Sequence, residues 1–371
     1  FVGELSLDGK LRGVPGLLPM AVNAYETGIR YIFVSPENAQ EALLVDDISV
    51  YAAENLEQVI NHLKEYQLLP NATKLPFEDQ AVQINSGDFS EIRGQMAAKR
   101  ALEIAAAGGH NVLLIGSPGS GKTMLAKCIP SILPPMTECE ALEVTKIYSV
   151  AGLLKHNSGL IKIRPFRNPH HTISNVGMIG GGQIPRPGEV SLSHNGVLFL
   201  DELPEFHRAV LEALRQPLED REVTISRITA SLSYPANFIL VGAMNPCPCG
   251  YYNDPIKTCD CSPAYVRRYL RKISGPLLDR IDMYIYVPRL EYTDLISGSS
   301  GDTSAQIRQR VKDARIFQRR RLKSSNLVCN AQLSHKHLKS ICPMTDDAQK
   351  LLKQAFSKMN LTARGYGRIV K

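Results

Sequence analysis

The stretch Gly116–Thr123, "GSPGSGKT", constrains this chain more than any other, because it follows the apolar run "NVLLI" and opens the helical pattern "KTMLAKCIPSIL". It satisfies G-x-x-x-x-G-K-[ST] at every fixed position, within the strand–loop–helix frame that the motif requires. Gly116, Gly119 and Gly121 let successive backbone N–H groups turn inward around a phosphate, with Ser117, Pro118 and Ser120 completing the loop. The helix adds the positive end of its dipole, Lys122 reaches the terminal phosphates, and the Thr123 hydroxyl ligates Mg²⁺. ATP or ADP with Mg²⁺ is the expected ligand. The expected fold class is α/β, a P-loop core built on a central parallel sheet. A chance glycine-rich turn would lack the flanking strand and helix.

The other half of such a site is a buried strand ending in carboxylates, and "GVLFLDE" supplies one about eighty residues later. Asp201 then holds the magnesium shell and Glu202 polarises the attacking water as general base. Adjacent acids at a strand end also occur as plain solvated caps. "FILVGAMN" puts Asn245 at another strand tip, either orienting the same water or capping a turn. In "SGPLLDRIDMYIYVP", Arg280 sits between Asp279 and Asp282. In a ring-shaped ATPase it would enter the neighbour's nucleotide site, and the alternative is a salt bridge to either aspartate. In "LTARGYGRIVK", Arg364 would touch the phosphates from a lid, with Arg368 competing for the role.

Hydrophobic periodicity divides the chain. Residues 1–69 read as a small α/β unit, 70–87 as a linker, 88–290 as the ATPase core, 291–305 as a polar Gly/Ser-rich link and 306–371 as helices without strands. Within the core, a long helix is expected from about Asp88 to the glycine pair Gly108–Gly109, and strands at "GVLFLDE", "EVTISR", "ASLSYP", "NFILVGAMN" and "MYIYVP". The net charge of +7 is uneven: residues 1–85 carry five Lys/Arg against twelve Asp/Glu, the remainder 38 against 24. An excess of +14 beyond residue 85 suits a polyanionic partner. No apolar run reaches eighteen residues and no signal-peptide layout opens the chain, so a cytoplasmic protein with no membrane contact is expected. The opening lacks Met and already reads as sheet, so further sequence is expected before Phe1 and, from the lid, beyond Lys371.

Together these motifs resemble the AAA+ ATPases, and among them the magnesium-chelatase-like proteins of the bacterial ComM/YifB family. The specific marks are "RPFRNPHHTIS", "GGGQIPRPGEVSLSHNGVLFLDELPEF", "LRQPLEDREVTISR", "AMNPCPCGYY" and "SGPLLDRID". The resemblance implies that Gly116–Thr123 is Walker A, Asp201 and Glu202 Walker B, Asn245 sensor 1, Arg280 the arginine finger and Arg364 sensor 2. It implies a homohexamer and a motor acting on single-stranded or branched DNA, a branch-migration helicase used in natural transformation. Residues 1–69 resemble part of the Lon protease domain, with "PGLL" where Lon proteins carry their catalytic lysine. Leu18 at that position cannot activate a serine, so no peptidase activity is expected.

Cys247, Cys249, Cys259 and Cys261 form C-x-C-x9-C-x-C. Four thiolates close a structural zinc site, with ordinary reduced cysteines as the alternative. His170 and His171 read as hydrogen-bonded loop residues, since adjacent side chains diverge on extended backbone. By resemblance the long loop from Arg164 to Glu189 is a helix-2 insert that faces the ring's pore with the hairpin "EVTISRITASLSYP". Arg164, Arg167 and Arg227 are the candidate contacts to nucleic acid phosphates. The basic run Arg308–Lys323 has helical spacing, with Ile307, Val311, Ala314 and Phe317 near one face, as in a solvated lid helix. Three other readings remain: the ATPase subunit of a porphyrin metal chelatase, an ATP-dependent protease or unfoldase, and a nucleotide-gated binding module.

Overall fold

The computed structural model describes residues 1–74, 87–154, 159–183, 185–226, 231–290, 301–323, 327–359 and 362–371. At its centre lies a sheet of five strands in the order Met283–Tyr286, Val112–Ile115, Ile239–Met244, Val197–Leu200 and Phe166–Arg167. Every adjacent pair is parallel. Continuous apolar runs such as "VLLI" and "VLFL" suit strands covered on both faces.

Alternation along those strands feeds two cores. Val112, Leu114, Val197, Phe199, Val241 and Ala243 face helices Met96–Gly108 and Lys122–Ile132. Leu113, Leu198, Leu200, Leu240 and Met244 pack instead on Leu211, Leu214, Tyr269, Ile273 and Leu277. The first helix starts at Met96, after a short 3-10 turn at Phe89–Glu91, so it is shorter than its sequence pattern suggested.

Two of the expected strands stand apart from the sheet, as the expected hairpin. Glu222–Ser226 and Ser231–Pro235 pair antiparallel as a separate hairpin; Val223 and Ile225 are buried in the second core and Tyr234 packs against it, while the rest of the second strand is exposed. The short edge strand Phe166–Arg167 has no sequence signature, as two residues carry no periodicity.

Helix Ser304–Leu322 begins with a Thr303/Gln306 capping box and lies against the core, where Ile307 and Val311 join the first apolar cluster. Its buried stripe runs through Ile307, Val311, Gln318 and Leu322, whereas Phe317 is 69% exposed, which corrects the expected face. Arg310 is bidentate to Glu103 and also meets Asp302 at 2.7 Å. Arg315 donates to the Ala106 carbonyl at 2.9 Å. Part of the basic run therefore grips the core.

In the N-terminal unit, strands Tyr31–Val34 and Ser49–Ala52 pair in parallel beside helices Leu17–Glu26 and Pro36–Ala42. Leu18 is fully buried. The unit docks on helix Glu138–Ala151, where the Gly16 N–H donates to the Ser149 carbonyl at 3.0 Å. Among the described residues no helix is long and apolar enough to cross a membrane.

Candidate functional site

The phosphate-type loop leaves strand Val112–Ile115 and enters helix Lys122–Ile132, turning at Gly119 and Gly121 with φ of 77° and 90°. Both angles lie where a Cβ is disfavoured. Lys122 is buried at the mouth of this loop, its Nζ donating to the carbonyls of Gly116 at 2.8 Å and Ser117 at 2.9 Å and to Asn245 Oδ1 at 3.2 Å. Burial pulls the lysine pKa down, and the Asp201 carboxylate opposes the shift. Thr123 Oγ1 donates to Asp201 Oδ2 at 2.7 Å, and Asp201 Oδ1 accepts the Glu202 backbone N–H at 2.9 Å. Loop, carboxylates and asparagine thus converge at the C-terminal edge of three adjacent parallel strands, where open α/β sheets bind ligands. Glu202 follows the strand end with φ of 51°, and its side chain is 61% exposed.

Two neighbours were not foreseen. His171 Nδ1 lies 3.5 Å from Glu202 Oε2, while His170 Nδ1 meets Thr172 Oγ1 at 2.9 Å. Gln95 Nε2 donates to the Ser120 carbonyl at 3.2 Å and to the Pro288 carbonyl at 2.6 Å, tying the loop to the strand on its other side. Nothing local marks either residue, since each contact is made across a long sequence separation.

The four clustered cysteines are free thiols whose Sγ atoms all lie within 4.8 Å of one another. Cys247 to Cys249 is 3.3 Å, Cys247 to Cys259 is 3.7 Å and Cys249 to Cys259 is 3.6 Å. The backbone N–H of Tyr251, with help from the neighbouring thiols, holds the Cys249 pKa down to about 6.

A family model described as "Magnesium chelatase, subunit ChlI" matches residues 88–295. The corresponding C-terminal model matches 301–371, and a further ChlI model matches 1–38. The chain is 46% identical to competence protein ComM of Haemophilus influenzae, over all of this chain and 72% of that protein. It is 41% identical to YifB of Escherichia coli, over all of this chain and 71% of that protein. The chain belongs to the ComM/YifB family of magnesium-chelatase-like AAA+ proteins. Similarity to the magnesium-chelatase 38 kDa subunit of Rhodobacter capsulatus is lower, 27% identity over 43% of this chain and half of that protein.

Within this ComM/YifB chain the arginines sort differently from expectation. Arg164 is a staple: Nε donates to the Pro134 carbonyl at 2.6 Å, one terminal nitrogen to the Asn195 carbonyl at 2.7 Å, and the other meets Glu140 at 3.1 Å. Arg167 is bidentate to Glu189 at 2.6 and 2.7 Å. Both cations are paired within the chain, so a nucleic acid phosphate would have to displace Glu140 or Glu189; Arg227 lies outside the described residues. Arg280 pairs with Glu219 rather than with either flanking aspartate, and donates to the Pro276 carbonyl at 2.7 Å. Asp282 instead meets His110 at 3.5 Å. Arg364 is the second residue of helix Ala363–Val370, and its side chain lies outside the described residues. Arg368 donates to the Ile281 carbonyl at 2.6 Å and contacts Asp279, so it braces the segment that carries Arg280.

Proposed function

We propose that this chain is an ATP hydrolase that works as a DNA motor in a homohexameric ring. One observation carries the reading: Lys122 bonds Asn245 and the adjacent Thr123 bonds Asp201, so residues from three separate segments meet at the sheet edge. In the proposed cycle the loop amides from Gly116 to Thr123 and the Lys122 ammonium grip the triphosphate. Thr123 and Asp201 hold Mg²⁺ directly or through water, Glu202 takes a proton from the attacking water, and Asn245 orients that water. Arg280 acts on the neighbouring subunit's γ-phosphate, where a planar cation offsets charge that develops during transfer. Arg364 completes the site from the lid.

DNA as the moved polymer is supported by the relative that is named a competence protein and by the positive balance beyond residue 85. The buried Leu18 favours a non-proteolytic N-terminal unit. The chelatase-subunit reading rests on the family models and the lower-identity relative, and predicts turnover indifferent to DNA. The four cysteines are read as a structural zinc site. The deciding measurement is the ATPase rate with and without single-stranded, duplex and four-way-junction DNA, for wild type and Glu202→Gln. Stimulation by junction DNA that disappears in the variant is expected; DNA-independent turnover would reject the motor.

A further inference from the structure

The segment Cys247–Cys261 has no helix or strand, and none of its residues from Tyr251 onward is buried. It has no apolar core to order it, so the convergence of its four sulfurs is the main internal restraint. A tetrahedral site with Zn–S bonds of about 2.3 Å needs sulfurs about 3.8 Å apart. The observed 3.3, 3.7 and 3.6 Å fall close to that spacing without rearranging the backbone. Four soft donors fit zinc and leave no open coordination position.

What this segment touches is more informative than its composition. Cys247 stands two residues after Asn245, which accepts from Lys122. Gly250 lies on the phosphate loop so closely that a Cβ there would stand 2.5 Å from Pro118 Cδ. Its φ of 88° also disfavours any side chain. Asp254 accepts the backbone N–H groups of Lys257 and Ile256 at 3.0 Å, which hold its pKa down with a smaller contribution from the nearby Ser117 hydroxyl. After Cys261, Ser262 caps helix Pro263–Leu270, whose buried Tyr269 has its hydroxyl near the Asn245 backbone. The cysteine segment therefore meets the phosphate loop at Pro118 and Ser117, and Asn245 lies between its first cysteine and Tyr269 of the helix that follows its last.

We propose that the four-cysteine centre is a zinc-loaded clamp on the nucleotide site, so that metal occupancy at Cys247, Cys249, Cys259 and Cys261 sets the affinity for nucleoside triphosphate at Gly116–Thr123. This rests on reading that loop as a triphosphate site. With zinc bound, the segment holds Ser117, Pro118 and Asn245 in register with Lys122. Without it, the segment loosens and the loop loses one wall.

The test measures bound zinc and the affinity for a fluorescent ATP analogue with Mg²⁺, in wild type, Cys259→Ser/Cys261→Ser, Asp254→Ala, Gly250→Ala and Lys122→Ala. Wild type purified without chelator should carry one zinc per chain. The double cysteine variant should lose the metal and weaken nucleotide binding about tenfold or more, as misplacement of binding groups does. Asp254→Ala and Gly250→Ala should keep the zinc yet weaken the nucleotide, which preserves the test if metal-free protein unfolds. Lys122→Ala should keep the zinc and lose the nucleotide. Absence of stoichiometric zinc overturns the metal centre. Zinc present, with nucleotide affinity unchanged by its removal or by Asp254→Ala and Gly250→Ala, overturns the clamp. Zinc-loaded wild type that binds no nucleotide overturns the triphosphate reading itself, a result distinct from the other two.

Discussion

His171 of the insert stands 3.5 Å from the Glu202 carboxylate, so the loop assigned to the ring's pore touches the residue assigned to activate water. An imidazole at that distance biases where the carboxylate rests and competes with water for it. A half-exposed contact of this kind is worth about 0.5–1 kcal/mol, or roughly two- to fivefold in rate.

His171→Ala is therefore expected to raise the basal ATPase rate two- to fivefold by that estimate and to shrink the stimulation by DNA, because the insert no longer reports to the base. Steady-state turnover with and without junction DNA checks this. An unchanged basal rate would show that the contact does not restrain Glu202.

Lys122 separates nucleotide binding from folding. Its ammonium is buried, with its pKa pulled down, and its acceptors are two carbonyls and Asn245. Removing that cation relieves its own desolvation but strands two carbonyls and the Asn245 amide oxygen, a net cost of about 1–3 kcal/mol. Lys122→Met should lower the melting temperature of nucleotide-free protein only modestly, abolish the rise that Mg-ATP gives to wild type, and cut turnover about a hundredfold or more. Scanning fluorimetry with and without Mg-ATP reads both. A variant that still melts higher with Mg-ATP would remove Lys122 from the site.

Arg164 should behave as a structural residue. Its guanidinium serves the carbonyls of Pro134 and Asn195 and the Glu140 carboxylate, with its side chain 13% exposed. Truncation strands those acceptors, so Arg164→Ala should cost about 2–4 kcal/mol in denaturant unfolding. The salt dependence of DNA binding should stay unchanged. A stable variant with a shallower salt slope would restore Arg164 as a phosphate contact.

These arginines show where legibility ended. The phosphate loop, Asp201, Glu202 and Asn245 were readable because each follows an apolar run that forms a strand, and parallel pairing brings all the strand ends to one edge. The charged residues were not. Whether Arg164 faces DNA or caps Pro134 depends on a partner 30 positions away, and Arg280 meets Glu219 across 61 positions. For the same reason the sequence marks His171 only as a hydrogen-bonded loop residue and Gln95 not at all. Phe317 was misplaced because the buried stripe of its helix passes through Gln318, which donates to the Ala107 carbonyl at 2.9 Å.

His194 sets a pH dependence. It is buried, its Nδ1 accepts the Asn237 N–H at 3.1 Å, and its Nε2 meets Glu143 at 3.1 Å. Burial is the larger influence and lowers its pKa below the ordinary 6.5, although Glu143 opposes the shift. The unfolded chain then binds the proton more readily than the folded one. Stability is full above about pH 6.5 and falls as the pH drops toward the folded-state pKa, with a slope of up to about 1.4 kcal/mol per pH unit. The depressed carboxylate pKa values of Glu212 and Asp282 act at lower pH. His194→Gln should flatten the limb just below pH 6.5 by that reasoning, even if its absolute stability is lower. Denaturant midpoints across this range decide; an unflattened limb would move the proton uptake elsewhere.

Arg280 offers the sharpest test of a shared site. In the single chain it is held by Glu219 and the Pro276 carbonyl, while Arg368 braces Ile281 and Asp279 beside it. Acting on a neighbour's phosphate would require exchanging Glu219 for a more highly charged partner, which a triphosphate provides. Arg280→Ala alone and Lys122→Ala alone should each be nearly inactive. Mixed, some interfaces pair an intact loop from the Arg280→Ala chain with an intact arginine from the Lys122→Ala chain, so part of the ATPase activity should return, rising and falling with the mixing ratio. Recovery requires the two groups to act across a subunit boundary. If mixtures stay as inactive as either parent while still co-assembling by size-exclusion chromatography, Arg280 serves its own chain through Glu219, and the ring-shared mechanism fails.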